Sequence, residues 1–421
     1  MTLLIHPHSP LPLRRFWPPS FRPSSCNTFA TIRSSLPFLP DKARFYGELE
    51  AAVDVVERAC RLCVDVKKSL LSNDDRILEK NDQTPVTIAD FGVQALISLE
   101  LSKAFPSIPL VAEEDSGFLR SNSGLQTIDD YDGNYLVNSV LTAVADKTTG
   151  SDDPLTAGVV LEAIDRGGKN SVSFDAQPAT YWVLDPIDGT RGFLKGSDAL
   201  YVVGLALVVK GEIVLGVMGC PNWKIGIPSP GIEDKRTVDP ETGIIMIAHA
   251  GCGTWTRRLF DSMDSILRMQ GGWQQCFVDT YSMVHEARFC IPDSQTWELM
   301  PLSQLFSSTV DDTEDRDKNT VLLLPTYCGS LCKYLTVASG RASVFILRAR
   351  TQTIIKVWDH AVGAICIQEA GGKVTDWTGS DLDLAADQAE RRIIYPSGGV
   401  LVTNGRLHNK ILEMVSNFSV V

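Results

Sequence analysis

The sequence predicts a layered α/β protein, and three observations carry that prediction. Segments with helical apolar spacing interleave with short unbroken apolar runs of strand type. Two such runs flank Lys210-Gly211-Glu212, the pattern of a β-hairpin. The chain has 421 residues, 44% of them hydrophobic, enough to bury more than one core.

Each element follows from its local pattern. Phe45, Leu49, Val53, Val56 and Cys60 recur at helical spacing and predict a first amphipathic helix. Beyond the polar segment Asn73 to Asp82, the period passes through Val93, Leu96, Ile97, Leu101 and Ala104, so a second helix starts near Asp90. Pro106 and Pro109 end it. Leu110-Val111-Ala112 is a short strand running into Glu113-Glu114-Asp115, and Asn138–Ala145 and Thr156–Ala163 are helical. Tyr181-Trp182-Val183-Leu184 is a buried strand ending at Asp185-Pro186. The hairpin takes Val202 to Val209 and Ile213 to Val217. Pro, Gly and charge collect between Pro228 and Thr242, the pattern of a domain joint. Further strands lie near Gly243–Ala248 and Val321–Leu324, with a charged loop at Asp311–Lys318. A helix-strand unit follows Trp358-Asp359-His360 and reaches Gly371-Gly372, and no internal repeat is visible.

Net charge narrows the function. A formal charge of −12 and a pI near 5.0 argue against non-specific binding to nucleic acid, which needs a basic surface. They do not argue against phosphate esters, because divalent cations can bridge carboxylates and phosphate. Met1 to Pro40 contains no Asp or Glu but holds Arg14, Arg15, Arg22 and Arg33 among many Pro and Ser. That composition predicts an organellar transit peptide, disordered, with mitochondrion as the destination and chloroplast as the alternative. No later stretch is long and apolar enough to span a membrane. Cys60 and Cys63, on the apolar face of the first helix, are expected to be buried thiols and not zinc ligands.

The chemistry sits in the carboxylates. Asp185 and Asp188 bracket Pro186-Ile187 at the end of a buried strand, and proline should stop that strand and turn both acids toward one point. The Ile187 carbonyl could join them, and a helix starting at Gly189-Thr190 would offer backbone N–H groups to an anion. Mg²⁺ wants such oxygen ligands and keeps positions open for water and phosphate. Glu113, Asp90 and Asp359 also stand at element ends. Taken singly, Asp90 and Asp359 fit helix N-caps, and Asp-Pro-Ile-Asp-Gly-Thr fits a turn. Capping does not explain why all of them occur at loop-facing ends.

Thr84-Pro85-Val86-Thr87-Ile88-Ala89-Asp90, Glu113-Glu114, Asp185-Pro186-Ile187-Asp188-Gly189-Thr190 and Trp358-Asp359-His360-Ala361 follow one another in this order. Together they resemble the inositol monophosphatase superfamily of lithium-sensitive phosphatases, within it the 3′(2′),5′-bisphosphate nucleotidases. The resemblance spans nearly everything after the leader. It implies an α/β/α/β/α sandwich, an N-terminal α+β domain over 41–230 and a C-terminal α/β domain over 231–421. It implies two or three Mg²⁺ ions on Glu113, Asp185, Asp188, Asp359 and the Ile187 carbonyl. Asp90 and Thr190 would orient and deprotonate the attacking water, and Gly189, Thr190 and Asp359 would meet the substrate.

The same resemblance assigns nucleotide contacts to Ser330 and Lys333 in the Ser-x-x-Lys-Tyr stretch, and a phosphate contact to Arg348 with Arg350 as rival. The family's nucleotide-contacting histidine has no counterpart between Arg288 and Gln295; His285 is nearby, and His360 is expected to be a structural neighbour of Asp359. The expected reaction is hydrolysis of the 3′-phosphate of adenosine 3′,5′-bisphosphate to AMP and phosphate, with the 5′-phosphosulfate analogue as a second substrate. The alternatives are an inositol phosphate hydrolase and a catalytically inactive nucleotide sensor. Long insertions between Glu113 and Asp185 and after Gly253 favour the nucleotide. The expected partner is a small-molecule nucleotide bisphosphate, with no nucleic acid and no membrane, and the chain is expected to be a monomer.

Overall fold

In the computed structural model, the described residues are 36–72, 78–79, 85–123, 131–149, 154–169, 171–175, 177–194, 199–223, 243–259, 272–311, 317–324, 329–350 and 354–416. The leader up to residue 35 and the expected joint at Pro228–Thr242 lie outside them. Leu36, within the acid-free stretch, is buried against the first core. No described helix is long and apolar enough to cross a membrane.

Helix α1 runs Tyr46–Ser72 and α2 runs Ile88–Ala104. α2 is apolar around most of its circumference and buries residues on every side, as an interior helix must. The short helix α3 (Gly117–Ser123), then α4 (Tyr131–Ala145) and α5 (Ala157–Asp165), follow on the N-terminal side. A seven-stranded sheet contains β1 (Leu110–Ala112), β2 (Tyr181–Asp188), β3 (Val202–Val209), β4 (Glu212–Cys220), β5 (Ile244–His249), β6 (Gly253–Arg258) and β7 (Gln274–Cys276), in that spatial order. β1 and β2 are parallel and the remaining pairs antiparallel.

A six-stranded sheet holds β8 (Arg288–Cys290), β9 (Ser307–Thr309), β10 (Thr320–Leu323), β11 (Val344–Arg348), β12 (Lys373–Asp376) and β13 (Gly399–Thr403), ordered β9-β10-β8-β11-β13-β12. Between the sheets lie α7 (Ser330–Ala338) and α8 (Ala361–Glu369), and α9 (His408–Ser416) covers the outer face of the second sheet. The five-residue helix α6 (Thr190–Leu194) follows β2 directly.

Strand alternation sorts these layers. On β3, Val203, Leu205 and Leu207 pack with α1, α2, α4 and α5, whereas Val202, Ala206 and Val208 pack with α7 and α8. On β11, Phe345 joins the middle helices, while Val344 and Ile346 join Ile411 and Val415 of α9. The result is helices, sheet, helices, sheet, helices, which is the expected five-layer sandwich.

One expectation fails informatively. Pro186 does not end the strand, because β2 continues to Asp188. Asp185 pairs with Gly204 but Asp188 pairs with Val202, so three steps on β2 face two on β3. This is a β-bulge, one of the few strand positions where proline's missing N–H does no harm. The first-helix cysteines are buried, as expected of that helix face: Cys60 and Cys63 form no disulfide, and burial raises their thiol pKa values.

Candidate metal centre and active site

The bulge determines where the acids point. Tyr181 and Val183 face the α7/α8 layer, and by alternation Asp185 follows them. Without a bulge, Asp188 would face the opposite side. The extra residue reverses the alternation, so Ile187 packs with the first core and Asp188 joins Asp185. Asp359, two residues before α8, approaches from the other element, and carboxylate oxygens of Asp185, Asp188 and Asp359 all lie within 4.8 Å of one another.

Such a cluster is costly without a counter-charge. Burial raises the Asp185 carboxyl well above its ordinary range, and Glu113, Asp188, Asp359 and Asp90 add to that shift. Burial also raises Asp359, with Asp188 and Glu113 contributing and Lys356 opposing. Asp188 is pushed up to about 6 by burial, against the pull of Lys333 and three backbone N–H groups. Asp185 Oδ1 is buried and has no hydrogen-bond partner among the described residues. An all-oxygen, like-charged set with an orphaned acceptor is what a hard divalent cation neutralises, so these residues fit Mg²⁺. Glu113, half-buried at the end of β1, is close enough to shift both Asp185 and Asp359 but is not in the 4.8 Å set.

Asp90 is not an N-cap. The cap of α2 is Thr87, and Asp90 stands at the third helical position of a capping box. Asp90 Oδ2 accepts from Thr87 N at 2.8 Å and from Thr87 Oγ1 at 2.6 Å. That leaves Oδ1 for Thr190 Oγ1 at 3.2 Å. The Thr190 hydroxyl also lies 3.1 Å from the Ile187 carbonyl, so its single hydrogen has two acceptors. Gly189, at φ +90, makes the turn from β2 into α6 that a side chain would strain. Thr190 and Arg191 occupy the first positions of α6, where N–H groups lack intrahelical acceptors.

The Ser-x-x-Lys-Tyr stretch starts α7 against the acids. Asp188 Oδ1 accepts Ser330 N at 3.0 Å, and Oδ2 accepts Leu331 N at 2.8 Å and Cys332 N at 3.4 Å. A Cβ on Gly329 would fall 2.0 Å from Asp188 Oδ1, so only glycine allows this approach. Lys333 is buried and donates to the Gly329 carbonyl at 3.2 Å. Tyr334 Oη lies 2.9 Å from His360 Nδ1, and burial lowers His360 to about 3, a neutral imidazole acting as a structural neighbour of Asp359.

The two arginines bond backbone carbonyls of the Ser294–Leu299 segment. Arg348, at the end of β11, donates to Leu299 O at 2.9 Å, and Arg350 donates to Ser294 O at 2.8 Å. His285 sits in the 3₁₀ turn Val284–Glu286. Sequence reasoning missed Gln94, Gly329 and Arg392, all of which touch the backbone or side chains of the acidic residues or their loops. A polar residue one helical turn beyond Asp90 was the only local signal for any of them.

Known proteins resemble this chain over most of its length. The inositol monophosphatase family model matches residues 46–419. An Arabidopsis thaliana protein provisionally named a mitochondrial 3′(2′),5′-bisphosphate nucleotidase is 60% identical over 389 residues, covering 92% of this chain and 91% of that one. A rice (Oryza sativa) 3′(2′),5′-bisphosphate nucleotidase is 32% identical over 379 residues, covering 89% and 94%. The solved extragenic suppressor protein suhB from Bartonella henselae shares the fold, with a TM-score of 0.51 at 18% identity over 88% of this chain and 98% of that one. With its match extending over almost the whole packed body, the chain belongs to the inositol monophosphatase family.

Proposed function

We propose that this chain is a Mg²⁺-dependent phosphatase that removes the 3′-phosphate of adenosine 3′,5′-bisphosphate, giving AMP and inorganic phosphate. The observation that carries the reading is the convergence of Asp185, Asp188 and Asp359 within 4.8 Å beside the Asp90–Thr190 pair. The family is metal-dependent. The nucleotide rests on the names of the Arabidopsis and rice relatives and on the Ser330–Tyr334 stretch that abuts the acids.

Asp185, Asp188, Asp359, Glu113 and the Ile187 carbonyl would hold the cations. Bound Mg²⁺ supplies charge neutralisation for the phosphate oxygens and the leaving oxygen. The protein's own part is proton handling and orientation. Thr190 Oγ takes a proton from the attacking water as its own hydroxyl proton passes to Asp90 Oδ1; Thr87 holds the other oxygen of Asp90 in place. Backbone N–H groups at Gly189 and Thr190 would meet the phosphate, and Ser330 and Lys333 would lie on the nucleotide side. Arg348 keeps a phosphate contact in this reading only if it leaves Leu299.

The leader's composition and the mitochondrial name of one relative support import into mitochondria, which a fusion of residues 1–40 to a fluorescent reporter tests. The monomeric state belongs to the same proposal and is read by sedimentation. The catalytic reading is tested by phosphate release from adenosine 3′,5′-bisphosphate with AMP identified chromatographically. Release should require Mg²⁺ and disappear in Asp185→Asn; Mg²⁺-dependent turnover unchanged in that variant would sink the site assignment.

A further inference from the structure

Glu113 stands on a loop, and an unsupported loop holds a carboxylate poorly. Here the loop is gripped from two sides. From α2, Gln94 Nε2 donates to Glu114 O at 2.6 Å, and Gln94 Oε1 accepts Glu114 N at 2.8 Å. From the far end of the chain, Arg392 Nη2 donates to the Glu113 carbonyl at 3.2 Å and Nη1 donates to the Gly167 carbonyl at 3.1 Å. Gly167 O also accepts Ala112 N at 2.8 Å, so the guanidinium fork joins the acidic loop to the turn after α5. A Cβ on Gly167 would meet the Ala112 Cβ at 2.8 Å, which shows how closely the turn is seated.

The same guanidinium covers a second part of the centre. Its central carbon lies 4.8 Å from the centroid of the Trp358 ring, and Trp358 immediately precedes Asp359. Only a planar fork can bond two carbonyls with its edge while its face rests on an indole; a lysine ammonium cannot do both. Arg392 is 8% exposed, so these contacts form with little competition from water.

We infer that Arg392 is a positioning residue that fixes Glu113 and Asp359 relative to one another, so that the cation affinity of the centre depends on a guanidinium that does not itself bind the cation. The inference rests on the reading of those carboxylates as metal ligands. Partners behind metal ligands commonly set affinity by about 10–100-fold. A built-in comparison stands next door. Arg391 is also buried, but its guanidinium bonds Ala385, Asp175 and Gln177 carbonyls and leans on Phe174, away from the acids.

The test is direct Mn²⁺ binding to the full chain by electron paramagnetic resonance, with phosphate release measured in parallel. Arg392→Met should weaken Mn²⁺ by about 10–100-fold, and Arg392→Lys should fall between it and wild type. Arg391→Met should lower the melting temperature and leave Mn²⁺ affinity near wild type. Wild-type affinity in Arg392→Met would overturn the inference, as would equal weakening in Arg391→Met, because general loosening would then be the cause. If circular dichroism shows Arg392→Met unfolded, Arg392→Lys decides, and wild-type affinity there would also overturn it. A wild-type chain that binds no Mn²⁺ would overturn the metal reading and the inference together. Weakened binding in Arg392→Met without phosphate release from any nucleotide would overturn the substrate alone and support the positioning role.

Discussion

Replacing Asp185 with asparagine should make the metal-free protein more stable and the loaded protein inactive. Asp185 is 1% exposed, its Oδ1 has no partner among the described residues, and four other carboxylates disfavour its charge. A buried carboxylate opposed by neighbouring charges costs at least what an unsatisfied polar group does, about 1–3 kcal/mol. Asparagine removes the charge at nearly the same shape, and its amide can still donate to Asp359, which already shares a hydrogen bond with Asp185. In EDTA near neutral pH, Asp185→Asn should therefore gain about 1–3 kcal/mol, a rise of a few degrees in melting temperature. Mg²⁺ should close the gap or reverse the order. A ligand at about a hundred times its Kd stabilises by about 2.7 kcal/mol, and the wild type should receive most of that while the variant receives little. Differential scanning calorimetry with and without Mg²⁺ measures both, and phosphate release reports the lost activity. A variant less stable than wild type in EDTA would show that the Asp185 charge does not destabilise the metal-free centre, and one showing the full Mg²⁺ shift would show that Asp185 does not hold the cation.

Three further outcomes follow from the same geometry. Asp188 has a folded pKa raised to about 6 from 3.8, so its contribution to metal-free stability is full below about 4 and is lost as pH rises through about 6. In EDTA, the stability of Asp188→Asn relative to wild type should therefore improve across that window; a flat difference contradicts it. Thr190→Val removes a hydroxyl bonded to Asp90 and Ile187 and should cut phosphate release by about 10²–10⁴ with little change in melting temperature. Thr190→Ser should recover most of the rate, and recovery by valine would remove Thr190 from the proton path. Gly329→Ala, with its Cβ 2.0 Å from Asp188 Oδ1, should destabilise by about 1–3 kcal/mol and raise the Mg²⁺ requirement. Denaturant unfolding and a Mg²⁺ titration check both effects.

The legible parts of the fold were those with a local period. Val93, Leu96, Ile97 and Leu101 announce α2, and unbroken apolar runs announce β2, β3 and β4, which have buried faces on both sides. The acids of the site were legible as residue types at element ends. Their mechanics were not. Proline signals a strand end, whereas here it occupies a bulge, and the bulge is what turns Asp185 and Asp188 to the same face. Asp90 reads as a helix cap until Thr87 is seen to take that place and free one oxygen for Thr190. Asp188 doubles as the anion at the start of α7, a contact spanning 142 residues or more, and Arg392 meets Glu113 across 279. Contacts so distant in sequence leave no periodic trace. Arg348 and Arg350 are legible only as residue types: their bonds to the Ser294–Leu299 segment also leave no local pattern in the sequence.

The measurement that bears most directly on the central claim compares phosphate release from adenosine 3′,5′-bisphosphate, its 5′-phosphosulfate analogue and inositol 1-phosphate, each in Mg²⁺ with and without Li⁺. The highest kcat/KM is expected for adenosine 3′,5′-bisphosphate, with AMP as product and inhibition by Li⁺. Preference for inositol 1-phosphate would contradict the nucleotide assignment, and release that persists in EDTA would contradict the metal centre itself.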